Sequence, residues 1–362
     1  MHERAAGARA TRPHGVRLMG KSPALLEAAA KLASFFPRER LDPAVLAWVR
    51  AASRRTVWSI AVSGGPDSVA LLLLVWAHWP ERRRQLRVLH FNHRLRGRES
   101  LADLNFCRQI CAGLGVRLVT DSWLGNHHGA SEADARQARM DFFERHARTV
   151  WLGHQQDDVA ESILMRLARG SGTGGLAAPR PVQALTSGRV HLRPLLGLKK
   201  VEIVKALRSA GIAWRKDATN RRRQFFRNRI RLDVMPAWGK AAQRDVLVGA
   251  ARSRLLLEED DAALEGWLDT LQPLTRAGRF DVGRLLGKPR AIFRRALHRW
   301  FLVQPLAGAI SRQAFEILLM TLESGKPTRQ SIGREGFAVF DGTTLRFEPV
   351  GKPRTIFQRR AN

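Results

Sequence analysis

The sequence predicts an α/β fold, a doubly wound and mostly parallel sheet, followed by a mainly helical domain with a small β-hairpin region. Three observations predict it. From Val57 to about residue 210, apolar runs of strand length alternate with helix-length segments, the pattern of a parallel sheet wrapped by helices. At its head a glycine loop joins a strand to a helix. After Gly239 the alternation stops and helical periodicity takes over. The expected domains are 1–55 as an N-terminal extension, 56–238 as the sheet domain and 239–362 as the helical domain with its hairpin.

In chain order, residues 1–20 hold four arginines and one acid, with no apolar segment that would serve as a secretory signal. They read as a disordered tail, or as an over-extended start, since Met19 could also begin the protein. Leu25, Leu26, Ala29, Leu32 and Phe35, then Val45, Leu46 and Val49, suggest two helices before the first strand. Strands are expected at 57–62, 86–91, 116–120, 149–153 and about 190–195, with helices at 68–79, 100–114, 131–147, 158–169 and 199–210. Arg169 to Leu176, with four glycines, reads as a flexible loop. Further helices are expected at 255–271, 289–302 and 313–322. Gly336–Phe340 and Thr344–Glu348, joined through Asp341-Gly342, make the hairpin signal.

The formal charge of +30 exceeds what solubility requires and points to a polyanionic partner, nucleic acid first. Arginine-rich composition bias explains part of the charge but not the shortage of acids. No apolar run approaches the roughly 20 residues that cross a bilayer, so no membrane partner is expected. Cys107 and Cys111, one helical turn apart, lack further partners for a zinc site or a disulfide scaffold. They read as buried helix residues in a reducing compartment, the cytoplasm. A homodimer is left open.

The chemistry concentrates where strands end, which is where ligands bind in such sheets. In Ser63-Gly64-Gly65-Pro66-Asp67-Ser68 the glycines let consecutive N–H groups converge on an anion, and the helix start adds partial positive charge. Asp67 would be repelled by phosphate unless a cation lies between, and Mg²⁺ is the simplest candidate. Alone, the hexapeptide is also an ordinary turn. After the second strand, Arg94, Arg96 and Arg98 form a basic loop suited to adenosine and RNA phosphates, or a loop that His90 and Asn92 only brace. Arg136 and Arg139 share a helical face, and Arg136 is the preferred functional residue. Asp157, Asp158 and Glu161 gather three carboxylates at a helix start. A plain N-cap accounts for one of them and poorly for three, so a metal or an amine is expected there. Arg221 to Arg231 interleaves six arginines with Phe225 and Phe226, suited to phosphate contact and stacking, or to a solvated basic linker.

Taken in order, these motifs resemble the tRNA(Ile)-lysidine synthetases of the ATP pyrophosphatase, or PP-loop, superfamily. Besides the glycine loop, the carriers are His90-x-Asn92-His93-x-Leu95-Arg96-Gly97, Glu132 to Arg136, Gly153-His154 through Asp157-Asp158 to Glu161, Arg169-Gly170-Ser171-Gly172, Arg193-Pro194-Leu195, Asp217-x-x-Asn220 and Arg227-Asn228-x-x-Arg231. Gln155, Val159 and Met140 depart from the usual pattern. The resemblance implies an adenine nucleotide α-hydrolase-like sheet. It implies ATP and Mg²⁺, free L-lysine, and the CAU anticodon of tRNA(Ile), whose wobble cytidine is adenylated and then joined to lysine. Ser63, Gly64, Gly65, Pro66, Ser68 and His93 would hold the nucleotide, and Asp67 the metal. Arg136 would stabilise developing charge, and Asp158 with Glu161 would receive the lysine amine. Arg94, Arg96, Arg227, Arg231, Arg294, Arg295 and Arg299 would contact RNA. Two rival readings remain, a tRNA thiolase of the same superfamily and a non-catalytic RNA-binding protein with a vestigial nucleotide site.

Overall fold

The computed structural model describes residues 22–93, 98–123, 132–185, 187–215, 223–275, 277–305 and 310–350. The chain divides into two compact units, Met1–Glu258 and Glu259–Asn362.

In the first unit α1 (Pro23–Phe35) and α2 (Pro43–Ala51) lead into β1 (Trp58–Ala61), α3 (Pro66–His78), β2 (Leu86–Asn92), α4 (Arg98–Leu114) and β3 (Arg117–Ser122). Then come α5 (Glu132–His146), β4 (Thr149–Trp151), α6 (Gln156–Leu167), the single turn α7 (Thr173–Leu176), β5 (Val182–Ala184), β6 (Val190–Leu192) and α8 (Lys200–Ser209). The sheet order is β3-β2-β1-β4-β6-β5. Its pairs are parallel, except that β5 runs against β6. The chain steps outward from β1 to β3 and returns to β4 on the other side of β1. The crevice between the carboxyl ends of β1 and β4 is therefore the switch point where a ligand seats.

α3 explains the rigidity of that crevice. Ser68 to Trp76 are all buried, so the helix is enclosed and not merely amphipathic. Each of Leu71, Leu72, Leu73 and Leu74 is fully buried, at about 1.5–3 kcal/mol of hydrophobic stabilisation apiece. α3 packs against α1 and α8.

The expected boundary at 55/56 is not a boundary in the structure. Ala29, Leu32, Val45 and Val49 belong to the same core as Trp58, Ile60 and Leu72, and the Ser22 N–H donates to the Gly113 carbonyl at 3.0 Å. The expected boundary at 238/239 also differs from the division in contacts. After α8 come α9 (Phe226–Arg229), a π turn (Ile230–Val234), α10 (Met235–Ala242) and α11 (Val246–Leu271). Met235, Trp238, Leu247 and Ala250 pack on Val159, Ala160 and Ile163 of α6. The end of strand–helix alternation marks the end of the sheet, whereas the apolar residues of the next helices still cover α6. The compact division falls inside α11. The glycine-rich loop expected at 169–176 is also partly ordered as α7, with the Arg166 Nη1 donating to the Gly175 carbonyl at 2.5 Å.

The second unit holds β7 (Phe280–Asp281), α12 (Arg290–Leu302), α13 (Arg312–Ser324), β8 (Thr328–Ser331), β9 (Gly336–Phe340) and β10 (Thr344–Pro349). The expected hairpin is the centre of a four-stranded antiparallel sheet, β7-β10-β9-β8. Alternate residues of β9, Gly336, Ala338 and Phe340, point inward. Trp300, Leu318 and Leu345 meet them in one core. In the turn, Asp341 Oδ1 accepts from the Thr343 and Thr344 N–H groups, which holds its carboxyl down at about 2.

Candidate active site

The loop Ser63–Ser68 follows β1 directly. Gly64 has φ +92°, a conformation that a side chain disfavours, and its carbonyl accepts from the Arg215 N–H at 2.8 Å. Gly65 and Pro66 open α3. Proline suits that position, because its missing N–H is one that no helix would use. The Ser63 and Ser68 hydroxyls lie 3.2 Å apart, and Ser68 Oγ also donates to the Gly65 carbonyl at 3.0 Å. The two serines tie the loop shut. The N–H groups of Asp67 and Ser68 belong to the first turn of α3, where no intrahelical acceptor exists. An anion is the natural partner.

Gly153 presses against this loop from the end of β4. A Cβ there would lie 2.9 Å from the Asp67 carbonyl oxygen and 3.1 Å from the Ser68 nitrogen. Only glycine lets β4 and the start of α3 approach so closely.

Asp67 is largely buried, and its Oδ1 accepts no hydrogen bond. Oδ2 lies 3.6 Å from Lys200 Nζ. Burial pushes the carboxyl up to about 6 against the pull of Lys200, with Asp158 and Asp157 adding to the push. A buried, unsatisfied carboxylate oxygen beside an anion cradle fits a divalent cation. Among the described residues no group of three or more His, Cys, Asp or Glu stands ready as a complete metal cage.

The three carboxylates of α6 have separate tasks. Gln155 caps the helix with its side-chain oxygen accepting from the Asp157 N–H, while Asp158 Oδ2 accepts from the Gln155 N–H at 3.0 Å. Asp157 Oδ2 reaches α8 and accepts from the Lys200 N–H at 3.0 Å. The other oxygen of Asp158 takes Arg227 Nη2 at 2.5 Å. Glu161, 1% exposed, holds Arg227 Nε at 2.8 Å and both Arg231 Nε and Nη2, at 2.6 and 2.9 Å. The two arginines expected to contact RNA thus neutralise the two acids expected to receive lysine. Two of the three departures from the family pattern have structural tasks: Gln155 does the capping, and Val159 is a core residue.

His93 lies past the end of β2, edge-on to Phe91 at 4.8 Å. Arg94 and Arg96 lie outside the described residues, as do Asp217 and Asn220. Arg136 is exposed on α5, and its charge is felt at His154, His191 and Arg193. In the second unit, Arg295 bonds Asp261 and Glu265, and Arg299 bonds Glu265 and Asp269. Arg294 is the exposed member, 3.9 Å from Glu316. Sequence reasoning left Gly153, His154, Arg193 and Lys200 out of the site. The strand-end position of the first three was the available signal.

A family model for the PP-loop domain matches residues 39–238, more than half of the chain. The chain belongs to the PP-loop family. The matched stretch carries the Ser63–Ser68 cradle, β1 to β6 and all three α6 carboxylates. The chain is 37% identical over 239 residues to a tRNA(Ile)-lysidine synthase of Symbiobacterium thermophilum, covering 64% of this chain and 49% of that one. It is 41% identical over 220 residues to the tRNA(Ile)-lysidine synthase of Geobacter sulfurreducens, covering 57% and 45%. The chain spans about half the length of these curated relatives. Among solved structures, the U34-tRNA thiolase NcsA of Methanococcus maripaludis aligns over 65% of this chain and 79% of that one, at 15% identity and a TM-score of 0.47. A likeness of that extent decides nothing about chemistry. No helix of the described residues is long and apolar enough to cross a membrane.

Proposed function

We propose that this PP-loop protein ligates free lysine to C2 of the wobble cytidine in the CAU anticodon of tRNA(Ile), with ATP converted to AMP and pyrophosphate. The observation that carries the reading is the pairing of an anion cradle, Ser63–Ser68, with the unsatisfied Asp67 oxygen and the Asp158–Glu161 acids beyond it. The similarity to named lysidine synthases supplies the substrate.

The chemistry runs in two steps. The cytosine C2 oxygen attacks the α-phosphorus of ATP and pyrophosphate leaves, which turns that oxygen into a leaving group. The ε-amine of lysine then attacks C2, loses a proton, and AMP departs with the oxygen. The loop N–H groups and the serine hydroxyls hold the phosphates, His93 borders the adenosine, and Arg136 offsets negative charge as the adenylate forms. Asp67 would hold Mg²⁺, which supplies charge neutralisation between carboxylate and phosphate.

A lysine amine is protonated below about pH 10.4, so it needs carboxylates to orient it and take its proton. Asp158 and Glu161 are assigned that role, with Arg227 and Arg231 as the cations they hold in the absence of substrate. RNA phosphates draw the two arginines away as the anticodon loop docks. The acids are thereby released to the amine only when both substrates are present.

The thiolase alternative needs a reactive thiol. Cys107 and Cys111 are 0% and 2% exposed, and burial pushes the Cys107 thiol up to about 12 and that of Cys111 higher still. Neither supplies a thiolate near neutral pH. The deciding experiment measures AMP and pyrophosphate release from ATP with tRNA, with and without lysine, in the wild type and in Asp67→Ala. AMP release that requires lysine and vanishes in Asp67→Ala is expected. AMP release indifferent to lysine refutes the reading.

A further inference from the structure

His154 and Arg193 follow the ends of adjacent parallel strands, β4 and β6, whose register sets Trp151 against Leu192. Arg193 is 5% exposed. Its guanidinium is tied at three corners, Nη1 to the Arg180 carbonyl at 2.7 Å, Nη2 to Gln183 Oε1 at 2.9 Å, and Nε to His154 Nδ1 at 3.0 Å. All three acceptors are neutral, so a buried cation is held here by geometry and not by a counter-charge. An arginine can only donate. The His154 Nδ1 must therefore be an unprotonated acceptor, and a neutral imidazole with that arrangement carries its proton on Nε2.

The surroundings keep the ring neutral. Burial, then the charges of Arg193 after β6, Arg227 of α9, and Arg139 and Arg136 of α5, hold its pKa well below the usual histidine range. The four cations come from after β6, from α9 and from α5. The preceding residue, Gly153, lies against the Asp67–Ser68 backbone, which places His154 at the rim of the phosphate cradle. No hydrogen bond joins its Nε2 to any described residue.

We propose that Arg193 is a positioning residue that locks His154 as a permanently neutral Nε2–H donor, aimed at a phosphoryl oxygen of the bound nucleotide. The inference rests on the nucleotide-site reading of the PP-loop. It gives His154 a binding and orienting task, not a general acid–base one, and it accounts for a buried arginine without a carboxylate. The four arginines around the ring select an anionic acceptor over a neutral one.

The test is ¹⁵N NMR on the full chain labelled at histidine, with the His154 signals identified by their loss in His154→Gln. In the wild type the ring is expected to stay neutral and protonated on Nε2 from about pH 8 to about pH 5, across the ordinary histidine pKa of about 6.5. Addition of ATP alone should shift the Nε2 signal. In Arg193→Met the ring should populate both tautomers. Should that variant not fold, Arg193→Lys, which keeps one donor without the fork, is expected to give a mixed tautomer population.

Kinetics gives the second readout. Glutamine keeps a donor N–H at a different reach, so His154→Gln should raise the KM for ATP by less than His154→Leu does, and the shape of the pH profile of AMP formation should be the same in both. A loss of about 10²-fold or more in His154→Gln, the scale of a missing general acid or base, would overturn the proposal. So would a wild-type ring protonated on Nδ1, a ring that titrates normally, or an Nε2 signal indifferent to ATP. Failure of the lysine reading is distinguishable, because it would abolish lysine-dependent AMP release while the tautomer and ATP shift remain.

Discussion

Substituting Gly153 by alanine tests whether the site depends on the approach of β4 to the PP-loop. The new Cβ would stand 2.9 Å from the Asp67 carbonyl oxygen, 3.0 Å from its carbon and 3.1 Å from the Ser68 nitrogen. All three are backbone atoms, so no side chain can swing aside. Restoring ordinary contact near 3.5 Å asks the start of α3 to retreat by roughly half an ångström. α3 is buried along its length and cannot absorb that shift freely, so overpacking should cost about 1–3 kcal/mol, a few degrees in Tm. The functional loss should be larger in proportion. A misplacement of about 1 Å costs on the order of 10²-fold in rate, so half of that predicts roughly a tenfold fall in AMP formation, with a raised KM for ATP. Gly197→Ala is the control, because a Cβ there meets nothing within 4 Å. The assay is pyrophosphate release against ATP concentration, together with thermal unfolding of each variant. Wild-type ATP dependence in a folded Gly153→Ala protein would refute the argument that this contact sets the cradle.

Other perturbations follow from the same geometry. Asp67 has a folded pKa of about 6 against 3.8 for the free group, so the native chain binds its proton more tightly than the unfolded chain does. Its contribution is most favourable below about pH 4 and is lost as pH rises through 6. Asp67→Asn should therefore raise Tm at pH 7 to 8 without Mg²⁺ or ATP, abolish activity and flatten the stability difference below pH 4. Equal Tm values at pH 8 would contradict it. Glu161→Ala leaves Arg227 and Arg231 without their shared carboxylate, and breaking a buried pair costs about 3–5 kcal/mol. Denaturant titration showing under 1 kcal/mol would mean that the network is not closed in solution. In the second unit, Arg294→Ala should weaken tRNA binding and lower the slope of log affinity against log salt by about 1. Arg299→Ala, which breaks ion pairs to Glu265 and Asp269, should chiefly change stability.

Much of this architecture is legible in the sequence because several local signals agree. The alternation from Val57, the strand–glycine–helix junction at Ser63 and the Asp341-Gly342 turn each specify one local structure, and the structure contains all three. Short edge strands are a different matter. β5, β7 and β8 have two to four residues with no sustained alternation, and they pair because β6, β10 and β9 offer them an edge. Domain boundaries were obscured for a related reason, since the helices before Val57 and after Gly239 are amphipathic in either context and only packing shows which core they cover. The cradle itself was readable from glycine and serine chemistry. The fate of Asp158 and Glu161 was not, because Arg227 and Arg231 lie more than 60 residues away along the chain and nothing local pairs them. Gly153 is similar: its role depends on a backbone segment that only the sheet brings near.

The proposed ligation joins an aliphatic amine to a cytidine that has first been adenylated. It is tested most directly by incubating the protein with ATP, Mg²⁺, isotope-labelled lysine and tRNA(Ile) bearing the CAU anticodon, then weighing the nucleosides after digestion. The expected product is one cytidine per tRNA heavier by the mass of lysine less one water, formed by the wild type and absent with Asp67→Ala. An unlabelled wobble cytidine, or one carrying sulfur instead, would contradict it.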